Sequence, residues 1–313
     1  MTCKIAIVGL GKIAKDQHVP CIAKNRHFKL VATVSRNAAL DGVPHFSSLA
    51  ELIASTTKVD AVALCTPPSV RLQMAMEAMA AGYDVLIEKP PTPTMGELFA
   101  MEAFARKKKR VLYATWHSRM NEAVEEARRQ LKGKLVAKMK VTWREDVRHW
   151  HPDQEWIWEP GGFGVFDPTI NAFSIVTRIL PQPIFVERAV IEIPANRATP
   201  IAAQVTFKHG SGRAADLSAD VDWRQTGEQT WKIEVQTDDG MALNLLKGGT
   251  VLEVNGKTVL EAPMEEYELI YKHFAKLRKA RKVDVDAAPL QLICDCFMLG
   301  KPKLVEEFHW SPT

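Results

Sequence analysis

The chain has 313 residues, 46% of them hydrophobic and 25% charged, long enough for two cores rather than one. Its 41 basic and 37 acidic residues leave a net charge of +4, too balanced for the concentrated basic face of a nucleic-acid binder. No apolar run nears the roughly 18 residues that span a bilayer, and the opening MTCKIAIVGLGK breaks into glycines too early for a signal peptide, so a cytoplasmic protein is expected.

In chain order, the first third alternates strand and helix patterns. Strands are predicted over 4–9, 29–35, 60–66, 84–88 and 111–117, and helices over 11–25, 47–55, 70–81 and 94–109. Alternation on this scale predicts a Rossmann-type, doubly wound parallel sheet. A helix over 121–132 follows, and Gly133 is a plausible stop. Beyond about residue 134 come strand-like runs over 135–145, 184–193, 201–208, 213–223, 231–237, 241–246 and 250–254. Turn signals such as Asp238-Asp239-Gly240 and Asn255-Gly256 separate them. Helices over 167–179, 264–281 and 289–299 complete an α+β, open-faced, mostly antiparallel sheet domain. The expected fold class is therefore α/β with two domains, 1–118 and 119–313, and the final helix 289–299 is free to pack back on the first. The basic runs 107–110 and 276–282 fall at helix C-terminal ends, where cations suit the dipole. The five cysteines, Cys3, Cys21, Cys65, Cys294 and Cys296, are scattered and odd in number, as expected of reduced core thiols. Cys294-Asp295-Cys296 has the wrong spacing for structural zinc, and His149 with His151 lacks a third ligand, so no metal is expected.

Gly9-Leu10-Gly11-Lys12-Ile13-Ala14 follows the first strand and opens the first helix. Gly9 permits the tight turn, Gly11 lets the backbone approach a pyrophosphate, and Ala14 keeps helix and strand close. An NAD site would end the second strand in Asp or Glu. Here the strand ends Thr33-Val34-Ser35-Arg36-Asn37, and Arg36 with Ser35 suits a 2′-phosphate, which favours NADP with NAD as the alternative. Thr66-Pro67-Pro68 would wall the adenine–ribose channel.

The strand over 84–88 delivers Glu88 and Lys89 to its carboxyl end, where ligands of open parallel sheets bind. Pro90 and Pro91 stiffen the exit, so Lys89 is read as a catalytic or substrate-orienting amine on a rigid mount.

Ala80-Ala81-Gly82-Tyr83-Asp84-Val85-Leu86-Ile87-Glu88-Lys89-Pro90, with the opening glycine motif and His18-Val19-Pro20, resembles the glucose–fructose oxidoreductase/inositol dehydrogenase/MocA family. The resemblance covers essentially the whole chain. It implies NAD(P)-dependent oxidoreduction of sugars or polyols, with Glu88, Lys89, Trp116 and His117 joining Gly9, Gly11, Lys12, Ile13, Ala14, Ser35, Arg36, Thr66, Pro67 and Pro68 around the cofactor. The family's second signature, Asp-x-x-x-His at a helix start, is here Asp167-Pro168-Thr169-Ile170-Asn171. Asp167 and Asn171 share a helix face, but the imidazole base has become an amide. The tryptophan-rich run from Trp143 to Trp158, with Ala114-Thr115-Trp116-His117-Ser118-Arg119, resembles the bacterial L-arabinose and D-galactose 1-dehydrogenase branch.

The resemblance implies oxidation of an aldopyranose at C1 to the lactone. Asp167 is expected as general base and Lys89 as donor to the C1 oxygen, and the swapped assignment stays open. His117, Glu145, Trp150, His151, Asn171 and Trp231 are expected to contact the sugar, whose apolar face suits aromatic rings. Trp143 and Trp158 are expected in the core or a subunit interface. A non-catalytic NADP sensor on the same fold is the rival reading, and the joint presence of Lys89 and Asp167 argues against it. A sheet with helices on one face only leaves the other for a second copy.

Overall fold

The computed structural model describes residues 2–310. In chain order the elements are β1 (Cys3–Val8), a π turn (Ala14–His18) running into α1 (Val19–Lys24), β2 (Phe28–Val34), β3 (His45–Phe46), α2 (Leu49–Ala54), β4 (Ala61–Leu64), α3 (Arg71–Ala80), β5 (Asp84–Ile87), α4 (Met95–Lys108) and β6 (Leu112–Ala114). There follow α5 (Glu122–Leu131), β7 (Val136–Arg144), α6 (Val147–Trp150), α7 (Phe166–Ile179), β8 (Ile184–Pro194), β9 (Ala202–His209), β10 (Asp216–Asp222), β11 (Thr230–Thr237), β12 (Ala242–Leu246), β13 (Val251–Val254), β14 (Lys257–Glu261), α8 (Glu266–Ala280), α9 (Ala288–Leu299) and β15 (Gly300–Val305).

Two compact units result. The first comprises the residues up to His117 together with Glu265–Ala287, and the second comprises Ser118–Met264 with the residues from Ala288 onward. The division differs from a single cut after residue 118. It is α8 that joins the first unit, whereas α9 packs on α7 and β8 of the second.

The first unit is a parallel sheet in the order β3-β2-β1-β4-β5-β6. Strands β4 and β5 are buried at every residue, as expected when helices cover both faces. Helices α2 and α4 start where Ser48 and Thr94 accept the backbone N–H three residues on. The strand order reverses between β1 and β4, so the carboxyl-end turns after these strands form the ligand-binding edge of the sheet. α8 closes the unit with an aromatic stripe at helical spacing. Phe274 stacks on Phe28 at 5.8 Å, and Tyr271 meets Phe28 edge-on at 5.1 Å. Buried Asp84 binds Arg278 and Arg281 near the end of α8.

The second unit is a nine-stranded sheet in the order β14-β13-β12-β11-β7-β10-β9-β8-β15. Most neighbours run antiparallel, but β10 pairs parallel with β7 and β15 parallel with β8. β14 and β15 extend the sheet at its two edges beyond the strands anticipated. α5, α7 and α9 form one layer, with α5 against β12 and β13, α7 against β7 and β11, and α9 against β8 and β15. Met139, Val141 and Trp143 of β7 are buried, while Lys138, Lys140, Thr142 and Arg144 alternate with them. Trp143 and Trp158 are core residues, 4% and 1% exposed. Among the described residues no helix is long and apolar enough to cross a membrane.

Candidate functional site

In the first unit, Gly9 lies at φ +92°, and its amide donates to the Val34 carbonyl. A Cβ there would stand 2.8 Å from the Thr66 backbone nitrogen and 2.9 Å from the Cys65 carbonyl carbon, so the turns after β1 and β4 approach closely only because residue 9 is glycine. At Gly11 a Cβ would meet nothing within 4 Å. That glycine is not required by protein packing, which fits a backbone kept bare for a pyrophosphate. Ala14 is fully buried, Ile13 is half-buried, and Lys12 pairs with Asp16 on the exposed side of the turn. The Ser35 amide bonds to Phe46, and the Arg36 side chain is exposed beside it. Thr66 is half-buried, Pro67 is exposed and Pro68 is buried. These residues fit NAD or NADP. The side chains at the end of β2 include no carboxylate to hold a ribose 2′-hydroxyl.

The mount of Lys89 involves more residues than its prolines. Buried Arg71 on α3 donates Nε to the Thr66 carbonyl at 2.6 Å and Nη1 to the carbonyls of Glu88 and Pro90, the residues on either side of Lys89. Glu88 is buried. Its Oε1 accepts from Tyr267 at 3.0 Å and contacts His18 Nε2 at 3.0 Å, and its Oε2 accepts the Lys89 amide at 3.2 Å. His18 Nδ1 reaches the Tyr271 hydroxyl at 2.8 Å. Burial alone would raise the Glu88 carboxyl, but His18, with His117 and Arg71, holds it below the usual carboxylate range. Burial alone would lower the His18 imidazole, but Cys65, Tyr271 and Glu88 hold it well above its ordinary value. The two thus form a buried ion pair beneath the lysine.

His117 Nδ1 contacts Glu266 Oε2 at 2.6 Å, and its ring stacks on Tyr267. Burial opposes its protonation, but Glu266 raises the imidazole above its ordinary value. Trp116 is 1% exposed and gives its indole N–H to the Asp286 carbonyl. Its side chain therefore belongs to the core, not to a ligand-facing surface.

In the second unit, the side chain of Asp146 caps the single turn α6 by accepting the Arg148 amide, and so presents Trp150 and His151. A side chain at Gly162 would collide with the carbonyls of Trp156 and Ile157, and one at Gly164 with that of Pro200. The glycines let the chain fold tightly into α7, which carries Asp167 in its first turn, where the helix dipole suits a carboxylate. Asp167 Oδ2 lies 3.3 Å from His151 Nε2, with side-chain exposures of 4% and 18%. Asn171 is half-buried one turn along. Glu145, 6% exposed, accepts from Trp223 Nε1 at 3.2 Å and Trp231 Nε1 at 2.9 Å. Trp150 is 37% exposed and its ring lies 5.6 Å from that of Trp231. The Trp223 ring lies 5.3 Å from that of His151, which ties the Glu145 and Asp167 clusters together. The structure thus gathers Glu145, Trp150, His151, Asp167 and Trp231 around Trp223.

Sequence reasoning missed Trp223, Arg71 and the α8 trio Glu266, Tyr267 and Tyr271. The 3.6-residue spacing of Tyr267, Tyr271 and Phe274 is the signal that could have shown a buried face there, though not what it touches.

A parallel sheet with a bare glycine turn, joined to a second unit that groups carboxylates, imidazole and tryptophans, defines a dinucleotide-dependent oxidoreductase. Residues 3–115 match the model of an oxidoreductase family with an NAD-binding Rossmann fold. Galactose 1-dehydrogenase of Pseudomonas fluorescens is 40% identical over 310 residues, covering 98% of each chain. The crystal structure of D-galactose-1-dehydrogenase from Rhizobium etli superposes with a TM-score of 0.93 at 47% identity, again covering 98% of each chain. A 3-ketoreductase from Actinomadura kijaniata, solved with NADP, shares the fold at 13% identity and a TM-score of 0.83, over 97% of this chain and all of that one. The chain belongs to the glucose–fructose oxidoreductase/inositol dehydrogenase/MocA family.

Proposed function

We propose that the protein is an NADP-dependent sugar dehydrogenase that oxidises C1 of an aldopyranose, L-arabinose or D-galactose, to the lactone. The observation that carries this reading is Glu145 fixed between the indole N–H groups of Trp223 and Trp231, with Trp150 exposed alongside. A buried acceptor next to an aromatic face suits a pyranose, whose hydroxyls need partners and whose C–H face packs on rings. The full-length likeness to two galactose 1-dehydrogenases supports the same substrate class.

In this reading a hydride passes from C1 to the bound nicotinamide, and the C1 hydroxyl loses its proton to Asp167. Lys89 donates to the C1 oxygen as charge develops on it. The reverse assignment, with Lys89 as the base, predicts the same products. Asn171, His151, Glu145 and His117 read hydroxyls. Ser35 and Arg36 favour the 2′-phosphate of NADP over NAD. The enzyme works in the cytoplasm, and the polar face of its second-unit sheet pairs with a second copy.

The test is absorbance at 340 nm with NADP and three sugars. L-Arabinose and D-galactose share their C2–C4 stereochemistry and are oxidised. D-Glucose, epimeric at C4, leaves a buried polar group unpaired at a cost of about 1–3 kcal/mol, so its kcat/KM is lower by about ten- to a hundred-fold. Glucose turned over as efficiently as galactose refutes a pocket that reads C4.

A further inference from the structure

We propose that the first unit binds a small phosphate-bearing anion, a phosphomonoester or a pyrophosphate, in a basic cleft at the edge of its sheet opposite the cofactor turns. The basic runs 107–110 and 276–282 lie far apart in the chain, and the fold brings them together. α4 ends at Lys108 and α8 at Ala280. Arg106, Lys109, Arg110, Arg281, Lys282 and Val283 line one cleft of about 770 Å³ at these two ends, a volume ordinary for a small-molecule site. The cleft lies at the amino ends of the strands, because Arg281 reaches Asp84 at the start of β5 and Arg110 comes just before β6. Gly9, Arg36, Thr66 and Lys89 all follow the carboxyl ends of their strands.

Five cations and no carboxylate line the cleft. Of the carboxylates nearby, Glu102 pairs with Arg106 at 2.6 Å, and buried Asp84 takes Arg278 and Arg281. Backbone carbonyls aim the rest. Arg110 donates Nη1 to Gly82 at 2.6 Å and Nε to Lys108 at 3.2 Å, and Arg281 Nη2 donates to Lys109 at 2.6 Å, which ties the two helix ends together. Among the described residues, the ammonium groups of Lys109 and Lys282 and Nη2 of Arg110 have no protein partner. A second observation is independent of these contacts. Lys109 at φ +54° and Arg281 at φ +52° hold the left-handed position that ends each helix, where glycine carries no steric penalty. Both ends forgo glycine for a cation that lines the cleft. Capping does not require these charges, since the amides of Arg110 and Lys282 already bond to the Ala105 and Leu277 carbonyls. The helix dipole accounts for basic residues in a last turn, but not for Arg110 and Lys282, which lie beyond the helices.

The unspent donors are two ammonium groups and part of one guanidinium, a set that suits a compact anion of two or more charges. A single carboxylate would leave some of these cations facing one another. Concavity favours a diffusing small molecule over the flat face of a bilayer, and half-buried Val283 offers contact to its uncharged part. From Asp84 to Lys89 the chain runs five residues along β5, roughly 15–17 Å, so an anion here does not touch the reacting atoms. It binds the folded unit and stabilises it by mass action, with no bond made or broken.

The experiment is calorimetric titration of the full chain with pyrophosphate, at fixed ionic strength and with saturating NADP to occupy the cofactor turns. One pyrophosphate per chain is expected, bound more weakly as salt is raised. Lys109→Gly and Lys282→Ala are each expected to raise its Kd about ten-fold. Lys109→Gly also separates binding from folding. Glycine suits the backbone there, so its Tm without pyrophosphate is expected to equal or exceed that of the wild type, while pyrophosphate raises it less. Absence of binding heat at millimolar pyrophosphate, a Kd indifferent to both substitutions, or an equal rise in Tm with sodium chloride at the same ionic strength overturns the proposal. Vesicles containing phosphatidylserine and a duplex oligonucleotide form the remaining arms. If either binds through Lys109 and Lys282 while pyrophosphate does not, the cleft serves a macromolecular surface and the small-anion proposal fails. None of these readouts depends on a sugar being oxidised.

Discussion

His18→Leu tests the buried support beneath Lys89. The wild-type pair is fully enclosed, with side-chain exposures of 0% for His18 and 2% for Glu88. Leucine removes the partner that holds Glu88 ionised and leaves the carboxylate with the Tyr267 hydroxyl and the Lys89 amide. Breaking a buried pair from one side costs about 3–5 kcal/mol, and the two surviving hydrogen bonds favour the lower end. For a unit of this size that lowers Tm by on the order of 10 °C. The pH dependence carries a definite sign. In the wild type Glu88 lies below, and His18 above, its unfolded value. The pair's stabilisation is therefore complete between the ordinary values of 4.5 and 6.5. It is lost as pH falls through the Glu88 value, and again as pH rises through the His18 value. In His18→Leu, His117, Arg71 and the two surviving hydrogen bonds still oppose burial at Glu88, and because the wild-type pair is complete at pH 5 and weakens as pH rises above the ordinary imidazole value, the variant's deficit is larger at pH 5 than at pH 8. Adding Glu88→Gln removes the stranded charge and is expected to recover at least ~1 kcal/mol. Calorimetry of the two single variants and the double variant at both pH values measures this. Additive losses, or a deficit indifferent to pH, would refute the ion pair.

Three further outcomes follow from the first unit. Arg36→Ala should raise KM for NADP far more than for NAD, because only the 2′-phosphate loses a charge-assisted contact, and equal effects in steady-state kinetics count against that role. Lys89→Ala should lower kcat by about 10²–10⁴-fold with NADP binding intact by calorimetric titration, and near-normal turnover would return Lys89 to a solvated side chain. Arg71→Lys keeps the charge but cannot reach three carbonyls at once, so kcat should fall with little change in cofactor Kd, whereas an unchanged kcat would show that the prolines alone fix Lys89.

The sequence made legible whatever depends on neighbours along the chain. The βα alternation, the glycine turn at Gly9 and Gly11, and the strand that ends in Lys89 are local patterns with local causes. The support of that lysine was not legible, because His18 meets Glu88 70 positions away and Tyr271 253 positions away. β15 escaped notice because Gly300-Lys301-Pro302-Lys303 resembles a tail. Proline is tolerated there because an edge strand has one row of amides that need no partner. The parallel pairing of β10 with β7 brings together segments 76 residues apart, as in the Arg144–Asp220 contact, which the order of strands in the chain does not suggest. Asp167 and Asn171 were found by motif and Glu145 and His151 by resemblance. Trp223, which ties them together, ends an ordinary alternating strand and carries no local mark.

The return of α8 to the first unit sets a timetable for synthesis. By the time residue 117 has left the ribosome, all six strands of the parallel sheet exist, yet Phe28, Asp84 and Glu88 still await Phe274, Arg278 and Tyr267. At about 5–20 residues per second, the gap of some 150 residues lasts on the order of ten seconds. During it the sheet has its hydrogen bonds but lacks one covering helix, and the carboxylate under Lys89 lacks a tyrosine. A fragment cut near residue 118 would be arrested at that stage, with an apolar flank uncovered. Swapping nucleotide-binding units among relatives therefore requires two splices, one on each side of the second unit's strands, with α8 exchanged alongside the first 117 residues.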